Sequence, residues 1–211
     1  MYTKGGETMF VREDGIACFH EEGAISKIQD IIRGFDPVMV VELGTRYGGF
    51  TSFIIESTSD KVKIYTFDIT HHEFRNFPKR VKFTCEDIAS SPSPTITKLL
   101  ETKSRKILYC DNGFAIKEVR MYAPLLRDGD MLGVHDWNKE IRQEDVEDVL
   151  LDFVPCEHGF FVLNEFSSRF WIKNPERQKG LNENEDTSIV RDVQPTGVHE
   201  EEPTSSSGEH K

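Results

Sequence analysis

The sequence predicts an α/β fold, a three-layer α/β/α sandwich around a seven-stranded, mostly parallel sheet whose last strands are antiparallel. Three observations predict it. Short, apolar, β-branched runs alternate with stretches of helical spacing along residues 24–174, which is the pattern of a parallel sheet covered on both faces. Those runs are continuous rather than alternating, as strands buried on both sides are. An acid also stands at or just past the end of five of them: Glu42, Asp68, Asp87, Asp111 and Asp136. That is the edge at which open α/β sheets take ligands.

The elements follow in order. Residues 24–35 place Ile25, Ile28, Ile31, Ile32 and Phe35 on one side of a helix. After Asp36-Pro37, residues 38–43 read as a buried strand. Residues 44–49 supply a glycine turn, and a helix opens over 50–57. Residues 62–69 are the second strand, and 80–85 a shorter, more exposed third. Residues 94–103 have helical spacing. Residues 106–111 form a strand ending in its acid, and 115–126 another helix through Ile116, Val119, Tyr122, Ala123 and Leu126. Asp128-Gly129-Asp130 turns into the strand 131–136. An amphipathic helix over 140–153 carries Ile141, Val146, Val149, Leu150 and Phe153. Residues 157–163 and 168–173 close the fold as an antiparallel pair, with Phe160, Phe161, Phe166, Phe170 and Trp171 as sheet core.

Composition narrows the partners. The 211 residues carry 26 basic and 37 acidic side chains, a formal charge of −11. Non-specific binding to nucleic acid or anionic membrane needs Lys and Arg in excess, so neither is expected. No run approaches the length of a membrane span, and the N-terminus shows no apolar leader. Cys18, Cys85, Cys110 and Cys156 lack any C-x-x-C spacing. Cys85 and Cys110 each close an apolar run, so they read as buried free thiols. A soluble, cytoplasmic protein is the expectation. Residues 175–211 hold nine acids against four bases and no aromatic residue, and read as a disordered acidic tail. The domain is then 24–174, with 1–23 as an N-terminal segment or lid.

Three motifs carry chemistry. Val41-Glu42-Leu43-Gly44-Thr45-Arg46-Tyr47-Gly48-Gly49 is an acid-x-Gly-x-x-x-Gly loop between a strand and a helix. Gly44 lets the chain turn, Gly48 lets a ligand approach the main chain, and the helix offers free N–H groups. A dinucleotide site would carry glycine where Glu42 stands. A carboxylate there repels a pyrophosphate and suits an ammonium or sulfonium. Arg46 is placed to meet a carboxylate, or to stand as a surface arginine. Asp68 ends the second strand, where an acid accepts ribose hydroxyls. In Cys85-Glu86-Asp87-Ile88, Asp87 is suited to an exocyclic amine and Ile88 to the face of a ring. Of the histidines, His71-His72 reads as a solvated pair and His20 as a surface residue rather than a pocket cap. Trp137 reads equally as pocket wall or core.

Residues 38–49, 62–69, 80–88, 106–111 and 128–137 together resemble the ordered motifs of class I S-adenosylmethionine-dependent methyltransferases. The resemblance implies a Rossmann-like sheet. It also implies S-adenosylmethionine as cofactor, with its methionine end at Glu42, Gly44, Thr45, Arg46 and Gly48. The ribose would lie at Asp68 and the adenine near Asp87 and Ile88.

The runs Ile107-Leu108-Tyr109-Cys110-Asp111-Asn112-Gly113 and Val134-His135-Asp136-Trp137 are similar to the small O-methyltransferases grouped with sugar methylases and the cephalosporin hydroxylase type. That resemblance implies a small-molecule hydroxyl, a sugar among the candidates, as methyl acceptor. It implies a divalent cation, Mg²⁺ or Mn²⁺, between Asp111 and Asp136, and Asp111, His135 and Asp136 as the catalytic edge. His135 is either a third ligand or the general base. Two departures stand out: Trp137 intervenes before Asn138, and His135 occupies a position where sugar-type enzymes carry a second acid. Proteins of this kind often pair, which raises a homodimer. A hydroxylase-like reaction, nicotinamide chemistry and non-catalytic cofactor binding stay open as competitors.

Overall fold

The computed structural model describes residues 2–4, 7–12, 16–20, 22–71, 77–156 and 167–174. The N-terminal segment pairs as a small antiparallel sheet of β1 (Tyr2–Lys4), β2 (Glu7–Val11) and β3 (Ala17–Cys18), and α1 (Glu22–Phe35) follows. The main sheet contains β4 (Met39–Leu43), β5 (Lys63–Asp68), β6 (Val81–Cys85), β7 (Lys106–Cys110), β8 (Met131–Val134), β9 (Phe153–Pro155) and β10 (Arg169–Lys173). Its order is β6-β5-β4-β7-β8-β10-β9. Strands β4 to β8 pair in parallel, and β10 is antiparallel to both β8 and β9. The chain steps outward from β4 to β6, then returns to the other side of β4 as β7. Strand order therefore reverses between β4 and β7, and a crevice opens beyond their carboxyl ends.

Helices cover both faces. Ala24, Ile25, Ile28 and Ile32 of α1 pack with Phe50 and Ile54 of α2 (Gly49–Ser57) on Val40, Ile64 and Ile107. The opposite face packs α3 (Pro94–Leu100), α4 (Ala115–Tyr122) and α5 (Gln143–Leu150) on Val41, Leu43, Leu108 and Leu132. Val40 and Val41 go to different cores because successive strand side chains point to opposite faces. Every residue of β4, β7 and β8 is buried, each large aliphatic contributing about 1.5–3 kcal/mol on transfer from water. Helix α3 starts where Pro94 presets φ and the Ser93 side chain accepts the Ile96 N–H, an N-cap in the usual sense.

The structure moves some predicted boundaries. The helix read over 140–153 is shorter, and Phe153 opens β9 instead. A lone apolar residue fits either period, and only the pairing of Phe153 with Lys173 decides it. The antiparallel pair is present, but the partner of β10 is β9. The strand read at 157–163, its aromatics Phe160, Phe161 and Phe166, His72 and the tail 175–211 lie outside the described residues. Phe170 and Trp171 are core, as expected. Cys85 is exposed rather than buried, because β6 is the sheet's edge strand; Cys18 and Cys110 are buried, and all four cysteines are free. Among the described residues no helix is long and apolar enough to cross a membrane.

At the opposite end of the sheet, Lys106 Nζ donates to Asp130 Oδ2 at 2.6 Å with both residues buried. Asp130 also accepts the backbone N–H groups of Lys106 and Arg127, so it ties the start of β7 to the turn before β8. Asp130→Ala leaves the ammonium buried and uncompensated. The expected cost is about 3–5 kcal/mol, read as a lower urea midpoint with an unchanged slope.

Candidate functional site at the β4 and β7 ends

The glycine loop after β4 is shaped by close packing. Gly44 has φ +100°, and its N–H and that of Thr45 donate to the Phe67 carbonyl. A Cβ on Gly44 would lie 2.0 Å from the Asp111 carbonyl oxygen. Glycine is therefore required for the loop after β7 to pass as well as for the turn. Gly48, φ +79°, precedes α2 with no side-chain cap, so the helix start keeps donors free for a ligand. The Arg46 N–H donates to Asp68 Oδ2 at 2.7 Å, and the Thr70 N–H to Asp68 Oδ1 at 2.9 Å. Two backbone donors thus fix the carboxylate at the end of β5. The Arg46 guanidinium lies 3.3 Å from the ring centre of Phe19.

The second half of the site comes from β7 and β8. Each strand carries its sheet pairing one residue past its end: the Asp111 N–H donates to the Leu43 carbonyl, and the His135 N–H to the Cys110 carbonyl. In extended chain His135 and Asp136 would face opposite ways. Asp136 instead adopts φ +53°, and both side chains meet Asp111. His135 Nδ1 is 3.1 Å from Asp111 Oδ1 and 3.1 Å from Asp136 Oδ2. These are ion-pair contacts off the hydrogen-bond direction. Both ring nitrogens are buried without an aligned partner. Lys139 Nζ reaches Asp136 Oδ1 at 3.5 Å.

His20 joins from the N-terminal segment. It is 2% exposed, so the expected surface histidine is instead part of the site. Its ring stacks on Phe50, with centres 4.1 Å apart, and tilts against His135 at 4.2 Å. Its Nε2 is 3.1 Å from the Tyr109 hydroxyl and 3.5 Å from Asp111 Oδ2. Tyr109 in turn contacts Ser168 Oγ at 3.0 Å. Gly49 makes room for this segment, since a Cβ there would lie 2.2 Å from the Ala17 carbonyl oxygen. No local pattern around Phe19-His20-Glu21-Glu22 signals this role, because it depends on a chain crossing.

One cavity of about 370 Å³ joins the halves and is lined by Gly44, Thr45, Arg46, Asp68, Asp111, His135 and Asp136. The other sequence-predicted residues do not line it. Glu42 is fully buried under the loop, where its Oε2 accepts from Thr51 Oγ1 at 2.6 Å. Gly48 is buried and is not among the lining residues. Asp87 is exposed and accepts from Ala89 and Ser90 in its own turn. Ile88 packs in the core at 1% exposure. Trp137 is core, beside Trp171.

Electrostatics separate these groups. Burial lowers the His135 pKa, but Asp111 and Asp136 outweigh it and hold His135 up to about 10. Burial, then His135, pulls His20 well below the ordinary 6.5, so it stays neutral. Burial raises Asp111. For Asp136 the contacts from His135 and Lys139 outweigh burial and hold it below the ordinary range. Burial pushes Glu42 to about 8, and Glu118 to about 8 as well.

These shifts set a pH trend for the metal-free protein. Groups raised on folding stabilise fully below their unfolded pKa, and that stability is lost as pH climbs through the folded value. For Glu42 and Glu118 the window runs from 4.5 to about 8, and for His135 from 6.5 to about 10. His20, lowered from 6.5, adds stability only on the approach to 6.5. With chelator present, Tm is expected to fall between pH 7 and pH 9. Glu42→Gln, isosteric with the neutral acid, is expected to fall less; parallel slopes would contradict the assignment.

Comparison with known proteins agrees with this architecture. The sequence profile of the Rhamnosyl O-methyltransferase/CmcI family matches residues 10–149. A rhamnosyl O-methyltransferase of Mycobacterium bovis (strain BCG / Pasteur 1173P2) is 27% identical over 136 residues, covering 59% of this chain and 56% of that protein. The chain thus spans little more than half the length of that relative. The fold is shared with the apo-structure of CmcI-N160, at TM-score 0.54 and 15% identity over 78% of this chain and 76% of that one. It is shared too with the MycE methyltransferase of the mycinamycin biosynthetic pathway, solved with Mg and SAH, at TM-score 0.50 and 13% identity over 78% and 55%. With its glycine loop, switch-point cavity and acidic strand ends, the chain belongs to the Rhamnosyl O-methyltransferase/CmcI family.

Proposed function

We propose that this chain transfers a methyl group from S-adenosylmethionine to a hydroxyl of a small, sugar-like molecule. One observation carries the reading: a single switch-point cavity is lined by Asp68 on one side and by Asp111, His135 and Asp136 on the other. Family membership and the rhamnosyl O-methyltransferase relatives support the sugar-like acceptor. The MycE structure holding SAH supports the cofactor.

The residues present fit that cofactor. Asp68 is pinned by two backbone N–H groups and keeps lone pairs for a pair of ribose hydroxyls. The uncapped start of α2 and Arg46 suit a carboxylate. When bound, S-adenosylmethionine supplies an electrophilic methyl on a sulfonium. The chain's task is to align the acceptor oxygen with that carbon and to remove the hydroxyl proton. Asp111 and Asp136 divide the second task, because their environments push their pKa values apart. Asp111, raised by burial, takes the proton at a carboxylate oxygen as the new carbon–oxygen bond forms. Asp136, held low, keeps His135 and Lys139 in place. A divalent cation also fits here, since two carboxylates flank a buried imidazole whose nitrogens lack aligned partners. When bound between Asp111 and Asp136 it would lower the pKa of a coordinated hydroxyl. Asp87 and Ile88 have no part in this reading.

Calorimetric titration with S-adenosylhomocysteine tests the cofactor. Asp68→Ala is expected to weaken binding by about 2–4 kcal/mol, the loss of charge-assisted hydrogen bonds. Absence of heat with the unaltered chain would overturn the proposal. Asp111→Asn is expected to keep that binding and slow methyl transfer to rhamnose-type acceptors by about 10²–10⁴-fold, followed as release of S-adenosylhomocysteine.

A further inference from the structure

The pocket edge holds two imidazoles, and the second comes from outside the sheet. His20 and His135 stand with ring centres 4.2 Å apart, at 2% and 5% exposure. One ligand atom each from His20, Asp111 and His135 falls within 4.8 Å of the others. His20 Nε2 lies 3.1 Å from the Tyr109 hydroxyl and 3.5 Å from Asp111 Oδ2, and Asp111 Oδ1 is 3.1 Å from His135 Nδ1. The other nitrogen of that ring, His135 Nε2, is buried without a hydrogen-bond partner. Native structures rarely leave buried polar atoms unsatisfied, and an unseen ion is one common reason.

We propose that this edge is a mixed nitrogen–oxygen metal site, in which His20 and His135 add imidazole nitrogen to the Asp111 carboxylate, and that it selects Zn²⁺, Fe²⁺ or Co²⁺ over Mg²⁺. Mg²⁺ demands oxygen ligands and dehydrates reluctantly. Imidazole nitrogen suits the borderline transition ions. A ligand from the N-terminal segment has a further consequence: the bound ion cross-links that segment to the ends of β7 and β8. The inference uses the site located above but does not depend on methyl transfer.

The test uses the full chain stripped with chelator. Co²⁺ binding is followed by its visible absorption and by calorimetry, and Mg²⁺ binding by calorimetry. Co²⁺ is expected to bind at least about tenfold more tightly than Mg²⁺. Since Co²⁺ outbinds Mg²⁺ at many sites, the deciding arm is His20→Gln. This variant is expected to lose at least about tenfold in Co²⁺ affinity and to alter the Co²⁺ band, with a smaller change for Mg²⁺. A melting curve in chelator establishes that the variant is folded. If it is not, His20→Asn and His135→Gln carry the same comparison. An unchanged Co²⁺ band and affinity in the folded variants, tighter binding of Mg²⁺, or no binding of either ion overturns the inference. S-adenosylhomocysteine titrated in parallel separates the two readings. Cofactor binding without the Co²⁺ preference overturns this inference alone. The preference without cofactor binding overturns methyl transfer alone.

Discussion

The close passage of the Gly44 loop against the backbone of Asp111 is the constraint on which the site depends. The two segments lie so near that a single Cβ at Gly44 would collide with the Asp111 carbonyl. The Asp111 N–H, meanwhile, bonds to the Leu43 carbonyl at the end of β4. Strand order reverses at this seam, so the crevice between diverging loops opens directly above it. Asp68 and Asp111 face one cavity because their strands both border β4. Neighbours extend the same logic outward, with Gly49 admitting the N-terminal segment and the His135 N–H continuing the ladder from β7.

Electrostatics then makes the edge a unit rather than three separate groups. An imidazole between two carboxylates in a poorly solvated place is held charged by them and favours the charged form of both in turn, while burial sets them apart. Asp111 is raised by burial and Asp136 held down. Removing one member strands the others in low dielectric, where an unpaired charge is costly. The left-handed backbone at Asp136 is the local strain that brings the trio together. Asp tolerates that conformation better than a β-branched residue would.

The buried acids under the site are a separate cost. Glu42 and Glu118 are both pushed up by burial, which keeps the underside of the glycine loop and of the Asp111 loop uncharged at neutral pH. Glu42 occupies a motif position that, in the sequence, invites a cationic ligand. In the fold its fully buried carboxyl accepts from Thr51 at the start of α2, so it ties the strand end to the helix and does not line the cavity.

The sequence by itself determined the sheet, the helices that cover it and the line of acids at the strand ends. Those are local properties. A continuous β-branched run such as Val38-Met39-Val40-Val41 specifies a buried strand, and its end specifies which residue reaches the rim. Asp68, Asp111 and Asp136 were legible for that reason. Only the tertiary structure decided what converges there. His20 enters the site across a separation of 89 residues from Tyr109, and no local period encodes such a crossing. Asp87 turns away because its carboxylate closes its own loop, and Phe153 leaves its helix because Lys173 lies opposite it in a strand. Periodicity sets which elements form; packing between distant elements sets which residues meet and, at Phe153, where an element ends.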